Sequence, residues 1–241
     1  MDVTKELNDI LGITESYRAP DALMAILFDR PRREVVFKQL LELFRYEMDK
    51  EWFYEYFQDE HADRKLKKQD FTPQSISNLL AEIVHDDKSG MRYEPCAGTG
   101  GMTIATWQKD RIQHTPFDYQ PSFYFYTCEE LSDRAIPFLL LNLMIRGMNA
   151  NVVHCDVLTR EAKGAFFIQN DHDDYMHFSS LNVLPYSQDV EEHLNIRFTE
   201  QIYPKHIESS PKLIRHYLDR LEPVESQAKV EKVEVGQISL F

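Results

Sequence analysis

Cysteine is rare in this 241-residue chain: Cys96, Cys128 and Cys155 follow no metal-binding spacing and, being three, cannot all pair. They read as reduced thiols, which predicts a cytoplasmic protein. No run of about 18 apolar residues occurs, so no membrane-spanning helix is expected. The opening MDVTKELNDI lacks the basic-then-apolar pattern of a secretion signal. Positive charge is scarce, with 27 Lys and Arg against 40 Asp and Glu and a formal net charge of −13. Such a chain is poorly suited to neutralising DNA phosphates unaided, so a nucleic-acid role needs a basic patch or a partner chain. Glycine is scarce too, yet three of the eight, Gly98, Gly100 and Gly101, fall within four residues.

What is present is enough apolar residue, 43%, to build a core. Residues 1–68 read as a helical region, because DALMAILFD and REVVFKQLLELFRYEMDKEWFYEYF repeat apolar positions every three or four residues. HADRKLKKQD is a basic joint, read as a solvated linker. TPQSISNLLAEIV then predicts a helix capped by Thr72, with Pro73 in its first turn. From about residue 91 strands and helices alternate: MRYEP, GMTIATWQKDRI, SFYFYTC, DRAIPFLLLNLMIRG (ending at a Gly147 cap) and ANVVHCD. That rhythm predicts an α/β domain with a parallel sheet, over 69–222. After Asp156 it gives way to an expected hairpin, GAFFIQN and YMHFSSLNVLP, and then to two helical stretches, SQDVEEHLNIRF and SPKLIRHYLDRL. Residues 223–241 read as a flexible tail.

The stretch Glu94-Pro95-Cys96-Ala97-Gly98-Thr99-Gly100-Gly101 sits where the first strand would hand over to a helix. Ligands of open α/β sheets bind beyond the strand ends, where glycine admits close approach. The loop lacks the lysine and Ser/Thr of a phosphate loop, and it carries a carboxylate ahead of its glycines. Further carboxylates end the second strand (Glu129, Glu130) and the third (Asp156). Glu129 or Glu130 suits ribose hydroxyls, and Asp156 an adenine amino group. Each also has a plain structural reading: solvent-facing glutamates, and an aspartate capping the next turn. Taken together they describe a ligand with an adenosine, an amino acid and no phosphate, which is S-adenosylmethionine.

QDFTPQSISNLLAEIV, YEPCAGTGGM, EELSDRAIPFLLLNLMIRGM and VHCDVL, in that order, resemble the modification subunits of type I restriction–modification systems. The resemblance covers about residues 60–160. It implies a class I S-adenosylmethionine-dependent methyltransferase (Rossmann-like) fold and methylation of adenine N6 in DNA. It also implies that Phe71, Thr72 and Pro73 border the methionine end of the cofactor, that Glu94, Pro95 and the Gly98-Thr99-Gly100-Gly101 loop cradle it, and that Glu130, rather than Glu129, takes the ribose. Asp156 would meet the adenine, and a specificity or restriction subunit would bring the DNA.

Two departures stand out. The family's Asn-Pro-Pro-Tyr signature accepts both N6 hydrogens and stacks on the flipped base. Here the matching segment is Val183-Leu184-Pro185-Tyr186, with Asn182 one residue early. Pro185 and Tyr186 keep part of the pattern, and Asn182 would need a bulge to join them. Only 55 residues follow Tyr186, so the sheet is expected to be truncated. Two functions follow: an adenine-N6 DNA methyltransferase, or a catalytically impaired cofactor-binding relative acting as an interaction module.

GQISLF at the C-terminus resembles the peptide by which bacterial proteins dock on the sliding clamp, through Gln237, Leu240 and Phe241. Asp171, His172, Asp173, Asp174 and His177 read as a solvated hairpin turn rather than a metal site. Trp52, Phe53, Tyr54, Tyr56 and Phe57 read as helix packing rather than a base-stacking surface.

Overall fold

The computed structural model describes residues 3–54, 56, 72–84 and 90–209. Phe57, the basic joint, Phe71, the second C-terminal helical stretch and the tail with Gln237, Leu240 and Phe241 lie outside the described residues, as do both expected domain boundaries.

Three helices come first: α1 (Val3–Leu11), α2 (Ala19–Leu27) and α3 (Arg30–Leu43). Asp29 caps α3 by accepting from the Arg32 N–H at 3.2 Å. The apolar period continues past Leu43, yet the helix stops there. Arg45 and Tyr46 adopt φ of 52° and 59°, and Tyr46 N–H reaches back to the Leu41 carbonyl at 2.9 Å. This is the glycine-type helix stop made without glycine, costing about 1–2 kcal/mol per left-handed residue. It converts residues 47–53 from an expected helix into part of a wall.

The helix α4 (Gln74–Val84) begins one residue later than the Thr72 cap predicts, with the Pro73 carbonyl accepting from Ser77 N–H at 3.0 Å. It packs on α5 (Gly101–Ile112) through its small residues Ser77 and Ala81, leaving Leu79 and Ile83 exposed.

The mostly parallel sheet runs in sequence order along β1 (Gly90–Pro95), β2 (Tyr124–Glu130), β3 (Ala150–Cys155), β4 (Glu161–Gln169) and β5 (Ser180–Val183). The first three strands are parallel; β4 runs against β3 and β5 against β4. A short β6 (Arg197–Phe198) joins the start of β4, replacing the end of the expected SQDVEEHLNIRF helix, of which α7 (Gln188–Leu194) remains. The path puts β1 at one end and β5 at the other.

Every residue of α6 (Ile136–Ile145) is buried, because the sheet covers one side and α2 the other. That explains its nearly unbroken apolar sequence. Gly147 ends it at φ 65°, where a Cβ would lie 2.6 Å from the His177 carbonyl oxygen. Leu23, Phe37 and Leu40 share one core with Phe138, Leu141 and Val152, so the N-terminal helices and the sheet are packed as a single body. Among the described residues no helix is long and apolar enough to cross a membrane.

Candidate functional site

β1 stops at Pro95 and the chain turns through Cys96, Gly98 and Gly100, with φ of 62°, 59° and 95°, before Gly101 opens α5. The turn is held by Ala97 N–H on the Glu129 carbonyl and Gly100 N–H on the Ala97 carbonyl, both at 2.8 Å. A Cβ on Gly100 would come within 2.9 Å of Leu139 Cδ1. Close packing and left-handed φ thus both require glycine there.

Above this turn lies a cavity of about 860 Å³, within the range of small-molecule sites. The loop contributes Glu94, Pro95, Gly98, Thr99, Gly101 and, from β2, Glu130. Thr72 and Gln74 come from the start of α4. The remaining wall is N-terminal: Glu47, Lys50, Glu51, Trp52, Tyr54 and Tyr56. Lys50 is paired with Glu47 at 2.6 Å, so the lining is acidic on balance.

Glu94 is buried and accepts from the Thr103 hydroxyl. Burial raises its pKa to about 7, with the negative charge of Glu130 adding to the effect and Thr103 opposing it. Glu130 accepts from Gly98 N–H and Ser132 N–H, each at 2.7 Å. One carboxylate therefore both lines the cavity and pins the glycine turn.

The other predicted residues are placed elsewhere. Glu129, on the opposite face of β2, receives Arg160 in a two-pronged pair at 2.7 and 2.8 Å and the Tyr93 hydroxyl at 2.9 Å. Asp156 is not in the lining; its Oδ1 accepts from Leu158 and Thr159 N–H at 2.8 and 3.3 Å, capping a turn. Asn182 is fully buried, donating to the Phe167 carbonyl at 3.1 Å and accepting from Glu208 N–H at 2.8 Å. The Tyr186 hydroxyl donates to the Lys163 carbonyl and accepts from Tyr203 N–H, both at 3.1 Å. Pro185 is exposed. This segment follows β5, four strand spacings from β1, or about 19 Å at ~4.8 Å each. The structure does not bring it to the glycine loop.

The Asp/His cluster is a turn between β4 and β5: Asp173 accepts from Ser122 N–H and Oγ at 2.7 Å, and Asp174 pairs with His177 at 3.1 Å. Among the described residues no group of three or more His, Cys, Asp or Glu could hold a metal. Trp52 stacks on Phe44 at 4.7 Å, and Phe53 meets Phe138 edge-on at 4.9 Å. Their packing role therefore coexists with the cavity wall that Trp52, Tyr54 and Tyr56 form.

Two features escaped the sequence. Arg146, fully buried, donates to the Met48 and Lys50 carbonyls at 2.8 and 2.7 Å and lies 4.9 Å from the Trp52 ring centre. It ties the 47–54 wall to α6. Glu51 is the second: a half-buried acid in a stretch that reads as continuous helix. No local signal marks either.

The family model for N-6 DNA methylases matches residues 51–230, most of the chain. The chain belongs to the N-6 DNA methylase family, whose members use S-adenosylmethionine as methyl donor. No curated protein matches it.

Proposed function

We propose that the chain binds S-adenosylmethionine in the cavity over the Gly98–Gly101 turn, as the cofactor-holding part of an adenine-N6 DNA methyltransferase system with a class I, Rossmann-like sheet. Membership of the N-6 DNA methylase family supports a DNA methyltransferase-like function. The observation that carries the cofactor reading is the shared cavity of the glycine turn, Glu94 and Glu130. The donor set fits the group. Carboxylates suit a sulfonium, an ammonium and ribose hydroxyls, and the cavity lysine is already paired, which disfavours a polyphosphate. When bound, the cofactor supplies an electrophilic methyl group; the protein's part is to hold it and keep the site ordered.

Asn182 and Tyr186 favour the second of the two functions, a cofactor-binding module that does not itself position adenine. Their polar atoms are engaged within the fold, at the far end of the sheet from the cavity. Losing one prepared hydrogen-bond partner in a transition state typically costs on the order of 100- to 1,000-fold in rate. In this reading DNA is brought by a partner chain, such as a specificity or restriction subunit, in keeping with the net charge of −13. A sliding clamp engaged through Gln237, Leu240 and Phe241 is a second route to DNA.

Calorimetric titration with S-adenosylmethionine tests the cofactor reading, and absence of binding removes it. Transfer of labelled methyl to unmethylated DNA separates the two functions. The module predicts no transfer by the chain alone. Transfer that Asn182→Ala abolishes while leaving the fold intact would establish the enzyme instead.

A further inference from the structure

Glu51 lines the cavity together with Glu94 and Glu130 but comes from the N-terminal wall. Its position is built from three sides. The backbone N–H of Glu51 is held by the Gln74 side chain at 3.2 Å. Its Oε1 accepts from Phe53 N–H at 3.0 Å and from Asn142 Nδ2 at 3.1 Å. The same Asn142 amide group donates to the Thr99 carbonyl at 2.8 Å, so one side chain of α6 fixes both the glycine turn and the opposite wall. A carboxylate offers about four acceptor positions, and these two donors, both on Oε1, leave room for a ligand.

Withdrawal from water raises the Glu51 pKa, against the pull of its hydrogen bonds and of Arg146. A carboxylate placed on a cavity wall at such a cost is best satisfied by a cation. Trp52, Tyr54 and Tyr56 beside it offer aromatic surface to the same charge.

We infer that Glu51 is a ligand-binding carboxylate that recognises the cationic end of the cofactor. The inference rests on the reading of this cavity as an S-adenosylmethionine site. It makes the N-terminal wall part of the binding site and gives Arg146 and Asn142 the role of positioning residues behind it.

The test measures binding of S-adenosylmethionine, S-adenosylhomocysteine and adenosine to the full chain and to Glu51→Gln, which keeps the size and the acceptor oxygen but removes the charge. The expected result is at least tenfold weaker S-adenosylmethionine binding, with adenosine unchanged within twofold. Parallel weakening of S-adenosylhomocysteine assigns the contact to the ammonium, and its sparing assigns it to the sulfonium. Unchanged S-adenosylmethionine binding overturns the inference while leaving the cavity assignment standing. Equal weakening of adenosine also overturns it, because it marks collapse of the wall rather than loss of a charge contact. A parent chain that binds none of the three ligands overturns the cavity assignment itself, and the inference with it.

Discussion

The two ends of the sheet have been finished in opposite ways. At the β1 end, strand tips open onto a cavity, and polar groups such as Glu94 and Glu51 are withdrawn from water without being fully used. At the β5 end the polar side-chain groups that resemble catalytic machinery, those of Asn182 and Tyr186, are consumed. Leu181 N–H bonds the Glu208 carboxylate at 2.9 Å, Val183 N–H bonds the His206 carbonyl at 2.8 Å, and Asn182 spans Phe167 and Glu208. Arg33 of α3 locks Glu208 in place at 2.7 Å, with both side chains buried. The contrast teaches that matching residues at a sheet edge is not enough to make a site. Polar atoms serve a ligand only where the fold leaves them acceptors to spare.

The largest effect expected from this contrast is in the pH dependence of stability. Glu94 keeps its proton in the folded chain up to about pH 7, against an ordinary 4.5. Between those values the folded state holds the extra proton, so this group makes stability fall as pH rises through that window and adds no further change above it. The shift corresponds to at most about 3 kcal/mol. Urea denaturation of the parent and Glu94→Gln at pH 4.5 and 7.5 should show the loss in the parent and a flatter profile in the variant. Identical profiles would mean that the β1 end is as well satisfied as the β5 end.

A smaller effect, about 2 kcal/mol, is expected from Asn182→Ala, which strands the Glu208 N–H and takes one donor from the Phe167 carbonyl. Denaturation should report that loss while calorimetry shows cofactor affinity unchanged within twofold. Unchanged stability would contradict the structural role of this residue. The smallest effect is that of Asp156→Ala. Losing a turn cap should cost about 0.5–1 kcal/mol and leave S-adenosylmethionine affinity intact; a tenfold loss of affinity would return Asp156 to the cofactor site.

Much of the framework was readable along the chain. Gly101–Ile112 forms the expected helix, and Gly147 caps α6 as its position implied. Both follow from local demands: an apolar stripe, and a backbone angle that favours glycine. The end of α3 was not readable, because Arg45 and Tyr46 are not residues that announce a left-handed turn. Arg146, from far along the sequence, holds the segment after that turn through the Met48 and Lys50 carbonyls, and with it Glu51 moves from a helix to a cavity wall. The one-residue departure at Asn182 was visible, but its consequence depended on which strand would stand beside β4.

The sequence by itself determined the glycine turn, the strands that feed it and the carboxylates available near it, because backbone angles and apolar periodicity are set by neighbouring residues. Only the tertiary structure decided that Glu51 faces the cavity and Asp156 does not, and it supplies the physical reason for Glu130 over Glu129. Glu129 and Glu130 are adjacent in β2 and project to opposite faces; Arg160, arriving from the turn before β4, claims the first, and the glycine turn claims the second. Which face becomes a site is settled by what packs on each side of the sheet, and that is a property of contacts between distant segments.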